Sequence, residues 1–374
     1  MGNRLISRKS KLLFATTVVC AGLYLGSIVW RCTTYYDEHG RWSGSAYGLD
    51  KDYGYFPKPY ELAYQSLKYG ERVPVLFDEN GFRIPYGEEK EHPKTPELQI
   101  LFLGDSFTHG YGVPAEETFA YLTADALDAQ AMNAGGSGWG LSQMAIRARD
   151  VIPRLKPDLV VVQYSNWLPS RSLSFYAPTR WGRSPAPYFY ESEGTVDIHQ
   201  PVFQSANFKV PISEFAGKGF LTFVWRVGIP LCIYDDYMAL GTSMKRRVGL
   251  LSPPITSRQK AVEFAYTEIQ ELCSANNASM LIVVIPISID DYPKDRLDAS
   301  SWRIVHTLEL LTRELPQPTQ EAWSANYGFW RGTPRELVDK HPNSRMHAVI
   351  AEQLIGAIRD TKSSELVGKP EGDL

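Results

Sequence analysis

Ser106 stands in the stretch LFLGDSFTHGYGV, Leu101–Val113, just past an apolar run of strand length. A turn there needs only Gly104 and Asp105. A serine that opens a helix can also act as a nucleophile, because free backbone N–H groups favour its developing charge. Far down the chain, His341 in Asp339-Lys340-His341-Pro342-Asn343 can accept the serine proton, and Asp339 can orient the imidazole. Two other segments offer oxyanion donors: Asn133-Ala134-Gly135-Gly136-Ser137-Gly138-Trp139-Gly140 and Tyr164-Ser165-Asn166. The donors expected are the backbone N–H groups of Ser106 and Gly138 and the Asn166 side-chain amide. A residue without Cβ at 138 lets backbone approach a ligand closely. Together these residues could carry out acyl transfer through a serine ester.

Plainer roles stand beside these: helix cap for Ser106, tight turn for Gly138, strand-end turn for Asn166, exposed loop for His341. Asp105 reads as a brace between loops, and His109 and His347 as structural histidines. No Cys/His cluster has zinc spacing and no glycine pattern makes a phosphate loop, so neither metal nor cofactor is expected.

The elements that must position these residues follow from periodicity. Leu98–Leu103 is a short apolar run of strand length, Leu159–Gln163 a continuous apolar strand of the kind covered on both faces, and Met280–Ile285 another buried strand. Helical stripes lie at Phe119/Leu122/Ala126/Leu127, Leu141/Met144/Ala145/Ala148/Ile152, Val262/Ala265/Ile269/Leu272/Cys273 and Met346/Val349/Ile350/Leu354/Ile358. Strands alternating with helices argue for a parallel α/β sheet. The nucleophile and the Asn166 segment directly follow strands, so all four segments can meet at one end of that sheet.

The chain of 374 residues is 44% hydrophobic and 22% charged, enough for a sizeable core. A net charge of -3 gives no general attraction to nucleic acid, and none is expected as a partner. Leu12–Trp30 carries no charge and nearly spans a bilayer, with Arg4, Arg8, Lys9 and Lys11 ahead of it. The positive-inside rule then keeps the N-terminus in the cytoplasm and exports the rest. An uncleaved signal anchor is favoured over a signal peptide, since no Ala-x-Ala-like site follows. Cys232 and Cys273 could pair or stay as buried thiols; sequence leaves both open.

The expected organisation is a basic N-terminus (1–11), a transmembrane anchor (12–30), a Tyr/Gly/Pro-rich stalk and lead-in (31–96), the main domain (97–361) and a loose tail (362–374). Residues 168–254 interrupt the alternation with aromatics and prolines, and read as an insertion over the sheet edge. Its apolar stretch Phe220–Tyr234 holds Arg226 and Pro230, which argues against a second span.

In this order, the four segments resemble the sequence blocks of SGNH (GDSL-type) hydrolases. The lead-in Asp78-Glu79-Asn80-Gly81-Phe82-Arg83 and the ending HPNSRMH are similar to an exported, membrane-anchored bacterial subgroup. Many members place the acid three residues before the histidine, where this chain has Val338; Asp339 stands two before. The third block usually reads Gly-x-Asn-Asp, and here Trp167 takes the acid's place. The resemblance implies a flavodoxin-like three-layer α/β/α sandwich with a central parallel sheet, joined here to an N-terminal transmembrane helix. It implies a Ser106–His341–Asp339 triad and action on carboxylic esters. Single-pass anchoring in the cell inner membrane, with the domain in the periplasm, points to acetyl esters of envelope or secreted glycans. Polysaccharide O-acetylation by the same triad, a lipase-like activity on ester-bearing lipid, and an inactive glycan-binding protein are the alternatives. Polysaccharide-assembly proteins are the expected partners.

Overall fold

The computed structural model describes residues 8–39, 42–43, 46–67, 71–87, 98–179, 182–202, 219–331 and 333–367. Five parallel strands form the centre: β1 (Leu98–Leu103), β2 (Ala129–Asn133), β3 (Leu159–Tyr164), β4 (Ser279–Val284) and β5 (Ile304–His306). Their spatial order is 2-1-3-4-5, the flavodoxin-like arrangement. Register places Ile100 opposite Leu159, Phe102 opposite Asn133 and Val284 opposite Tyr164, so the carboxyl ends of β1, β2, β3 and β4 finish together.

Alternation along the strands builds the two outer layers. Leu101, Leu103, Val160, Val162, Ile282 and Val284 face one way and Ile100, Phe102, Val161, Leu281 and Val283 the other. Of the helices α1 (Arg8–His39), α2 (Phe119–Ala126), α3 (Leu141–Leu155), α4 (Ile229–Arg247), α5 (Arg258–Ala275) and α6 (Ser344–Val367), α3 and α5 cover the first face. Helices α2 and α6 cover the second. Leu101, Phe102 and Leu103 are all essentially inaccessible. Burying each stabilises the sheet by about 2 kcal/mol relative to exposure.

The lead-in does more than pack on this domain. Arg83–Ile84 pairs antiparallel with β2 through Arg83 and Asn133, and Arg72–Phe77, Ala63–Ser66 and Trp42–Ser43 continue outward to make a mixed sheet of nine strands. The central sheet is therefore parallel only in its core. The insertion holds two hairpins, Tyr176–Thr179 with Gly182–Pro185 and Tyr188–Ser192 with Thr195–His199, followed by α4. The final helix runs to Val367, into the segment read as a tail, while 368–374 lies outside the described residues, as do 1–7, 88–97 and Trp181.

Helix α1 contains Ser10–Thr33, the one candidate span among the described residues, with a mean hydropathy of 2.0. All four cysteines are free thiols; Cys273 is buried in the α5 face of the core, and Cys232 lies beside Cys32 of α1.

Candidate active site

Strand β1 leads straight into Gly104, Asp105 and the one-turn helix Ser106–His109. A Cβ on Gly104 would stand 2.0 Å from Thr108 Oγ1 and 2.4 Å from Gln163 Oε1, so this tight exit needs glycine. Asp105 caps the turn by accepting from Phe107 N at 2.9 Å, and Ser106 becomes its first residue.

Asp105 is fully buried and accepts from three side chains as well: Gln163 Nε2 at 2.9 Å, Trp167 Nε1 at 2.6 Å and Arg171 Nη1 at 2.7 Å. It ties the nucleophile turn to the end of β3 and to the start of the insertion, and is not in the proton-transfer chain. Gln163 is the other half of this brace, its Oε1 accepting from Asp105 N and Thr108 Oγ1. Neither Gln163 nor Arg171 had a sequence signal: one sits inside an apolar strand and the other in the irregular insertion.

The histidine segment is fixed independently. Short strand Glu336–Asp339 pairs with Phe329–Arg331 and delivers Asp339 at its end. Asn343 then accepts from Met346 N at the head of α6 and donates to Asn326 O and Gly328 O, anchoring the loop at both sides. Between these points, His341 Nδ1 lies 2.6 Å from Asp339 Oδ1 and His341 Nε2 lies 2.9 Å from Ser106 Oγ. Asp339 Oδ1 also accepts from His341 N at 2.8 Å. The network assigns the tautomer: Nδ1 donates to the carboxylate, so Nε2 is the acceptor for the serine hydroxyl. The Asp339 side chain is 2% exposed and that of His341 23%, which leaves the ring edge open to solvent. Tyr111 stacks on the imidazole at 4.4 Å and Phe107 packs at 5.3 Å, fixing its plane.

The glycine loop after β2 is locked against β1. Asn133 donates to Thr108 O at 2.9 Å and accepts from Gly135 N at 3.1 Å, and Gly136 N donates to Gly104 O at 3.1 Å. Ser137 N donates to the Tyr47 hydroxyl, Trp139 N to Gly136 O and Gly140 N to Gln143 Oε1. Burial pushes the Tyr47 phenol up to about 12, so it holds its proton in this role. Gly138 has φ +79°, a backbone region that side chains disfavour. Its N–H makes no hydrogen bond among the described residues, and neither does that of Ser106. The two expected backbone donors are thus the two left available.

Asn166 differs from the expectation. Its Nδ2 donates to Asp291 Oδ1 at 2.5 Å and Tyr292 O at 2.7 Å, while its Oδ1 accepts from Tyr164 Oη and Lys294 N. Both amide hydrogens are spent on the loop after β4, so Asn166 is not placed as an oxyanion donor. At the next position the Trp167 indole reaches Asp105, while Asn166 turns to the 291–294 loop. Arg171 enters this neighbourhood instead, donating to Trp139 O at 2.9 Å as well as to Asp105. Its guanidinium is bonded one residue from each free backbone donor.

Arg83 of the lead-in, fully buried, donates to His109 O at 2.5 Å, Gly110 O at 2.5 Å and Val113 O at 2.6 Å. It closes the turn behind the nucleophile. Burial lowers its pKa to about 10, still cationic at neutral pH.

His109 and His347 are outside the chain of transfer. His109 stacks on Phe77 at 5.7 Å, and burial holds it neutral. His347 Nδ1 accepts from Phe119 N at 3.1 Å, and burial pushes its pKa from 6.5 down to about 3. Between those values the unfolded chain binds the extra proton and the folded one does not. The stability that neutral His347 contributes is therefore complete above about pH 6.5 and is lost as pH falls toward 3. Each unit of difference is worth about 1.4 kcal/mol. Thermal melts from pH 8 to pH 4 should show Tm level above pH 7 and falling below pH 6, with a shallower fall in His347→Gln. An equal slope in that variant would remove His347 from the acid response.

No family model matches the chain, and no curated protein matches it. Solved structures similar to it include an acetylxylan esterase from Geobacillus stearothermophilus, solved as a catalytic mutant. The identity is 10% over 71% of this chain and 96% of that one, with a TM-score of 0.35. A carbohydrate esterase family 2 enzyme from Corynascus thermopiles (Myceliophthora fergusii) is 15% identical over 76% and 70%, with a TM-score of 0.33. A psychrotrophic esterase from Pseudoalteromonas sp. is 13% identical over 71% and 100%, also at 0.33. Superpositions this loose leave the fold to rest on its own strand order and the site on its own distances.

Proposed function

We propose that the chain is a serine ester hydrolase that removes acyl groups, acetyl above all, from glycans outside the cytoplasm. The hydrogen-bonded series Ser106–His341–Asp339, beside two unpaired backbone N–H groups, carries this reading. In the reaction, Ser106 Oγ attacks the ester carbonyl while His341 Nε2 takes its proton. The tetrahedral oxyanion is held by the N–H groups of Ser106 and Gly138, with the Arg171 charge close by. His341 then gives its proton to the departing alkoxide. A water deprotonated by His341 attacks the acyl-serine next, and its collapse restores the Ser106 hydroxyl and frees the carboxylic acid. Asp339 stays ionised throughout and balances the imidazolium.

Transfer of the acyl group to a sugar hydroxyl would use the same residues, with the acceptor in place of water. The solvent-open edge of His341 favours hydrolysis. On this reading the enzyme is a single-pass protein of the inner membrane with its domain in the periplasm, which the apolar N-terminal helix supports. There it meets envelope glycans as they are made.

The surroundings of the histidine loop support a glycan with acidic groups. A pocket of about 280 Å³ is lined by Trp330, Arg331, Arg335 and Arg345 together with Asn343 and Ser344. The Arg335 guanidinium sits 5.2 Å from the Trp330 ring centre. None of the three arginines has a carboxylate partner among the described residues. Guanidinium groups suit sugar carboxylates, and the indole offers a face for a pyranose ring. Acetate release from an O-acetylated acidic polysaccharide tests both levels of this reading. Arg331→Ala with Arg335→Ala should raise KM on that substrate ~10-fold, one charge-assisted contact's worth, and leave turnover of a small neutral nitrophenyl ester unchanged. No acetate release by the unaltered chain, from polysaccharide or small ester, would overturn the hydrolase reading itself.

A further inference from the structure

Helix α4, inside the insertion, meets its surroundings on three sides. Toward α1, Asp236 accepts from Arg31 Nη1 at 3.0 Å and Nη2 at 2.9 Å, and from Tyr24 Oη at 2.7 Å. Buried Cys232 adds a contact with Cys32, one turn away on the same face. Toward the insertion's first hairpin, the Tyr176 hydroxyl donates to Met238 O at 3.0 Å and meets Thr242 Oγ1, and Met238 and Thr242 are buried.

The third side is exposed among the described residues. Trp225, just ahead of the helix, then Ile233, Tyr237, Leu240, Met244 and Val248 recur at intervals of three, four or eight and are between 55% and 72% exposed. Such spacing makes one continuous stripe on a helix. Its apolar area is on the order of several hundred Å², at or above the largest patch on an ordinary soluble monomer. Lys245, Arg246 and Arg247 close the helix, exposed.

We propose that this stripe lies in the bilayer surface, so that α4 seats the catalytic domain on the membrane beside the span. The inference rests on α1 crossing the membrane. Three observations select lipid as the occupant. Arg31 and Tyr24, the partners of Asp236, belong to the apolar Ser10–Thr33 segment, so the stripe continues the surface that this segment gives to lipid. Trp225 and Tyr237 have the amphipathic rings that settle at the membrane–water boundary. The cationic last turn meets anionic headgroups, each near-surface cation adding about 1 kcal/mol. The form is that of an interfacial helix, apolar on one face and too charged to cross. Domain and span are thereby joined at two points, and the opening at Ser106 keeps a set height above the lipid.

The test uses the full chain in nanodiscs containing phosphatidylglycerol. Exposed Cys20 is replaced by serine, and spin labels are placed singly through Ile233→Cys, Leu240→Cys and Met244→Cys. Val18→Cys in α1 and Glu263→Cys on α5 serve as references. Collision with oxygen and with a soluble nickel chelate reports depth. The stripe labels should favour oxygen and sit roughly 5–10 Å below the headgroups, while the label at 263 stays open to nickel. Nickel access at the stripe equal to that at 263, with the label at 18 immersed, overturns the proposal and leaves the span intact. A label at 18 open to nickel overturns the span itself. Stripe labels shielded from both reagents mean a protein occupant, a second copy if spin–spin broadening appears, and also overturn the proposal. Adding Leu240→Asp should raise nickel access at 233 several-fold with Tm unchanged; no change there counts against lipid contact.

Discussion

Ser106→Ala should abolish turnover of a nitrophenyl acetate while Tm stays within a few degrees of the unaltered chain. The hydroxyl is lost, yet the turn that holds it keeps every brace: Asp105 to Phe107 N, Gln163 to Asp105 and Thr108, and Arg83 to the carbonyls behind. What remains is binding and the two backbone donors, leaving about 10³- to 10⁴-fold over water in such sites. A fluorophosphonate should form its adduct on Ser106 of the unaltered chain and on nothing in the alanine variant. Equal labelling of the two would sink the assignment of the nucleophile.

His341→Ala and Asp339→Asn should separate proton transfer from orientation. The histidine variant should lose on the order of 10⁶ in kcat, since no other base among the described residues is hydrogen-bonded to Ser106 Oγ. Asp339→Asn should lose about 10⁴ or less, because the amide at 2.6 Å from Nδ1 favours the wrong tautomer without moving the ring. Tyr111 and Phe107 continue to hold that ring. Both values come from steady-state kinetics at saturating ester. A loss at Asp339 as large as that at His341 would mean the carboxylate does more than orient.

Much of this was legible in sequence because it is local. Strand β1 is apolar but for Gln99 near its start, the Gly-Asp-Ser exit follows without a gap, and Asp339 and His341 stand two residues apart. Periodicity named α2, α3, α5 and α6 as well, but not α4, which lies in the stretch read as an irregular insertion. Strand β2, AQAMN, escaped because its apolar residues neither alternate cleanly nor run on, and β5 is three residues long. The antiparallel strands of the lead-in hid among tyrosines, glycines and prolines. Asn166 shows the limit most clearly. Its type and place after β3 suit an oxyanion donor, yet its competing acceptor, Asp291, is 125 residues away, in a loop with no signal of its own. Gln163 and Arg171 were silent for the same reason: their roles exist only once β1, β3 and the insertion are side by side.

Arg83 bears on how this enzyme can be rebuilt. A gene fusion made at the obvious seam, just before β1, would graft the catalytic residues onto a new carrier and discard the guanidinium that fills the space behind them. Three carbonyls of the nucleophile's own loop would then point into a dry void. The portable unit is longer than its chemistry: it has to begin upstream of Trp42, with the outer strands that deliver that arginine. A donor cut there should transplant active, and one cut at residue 97 should not.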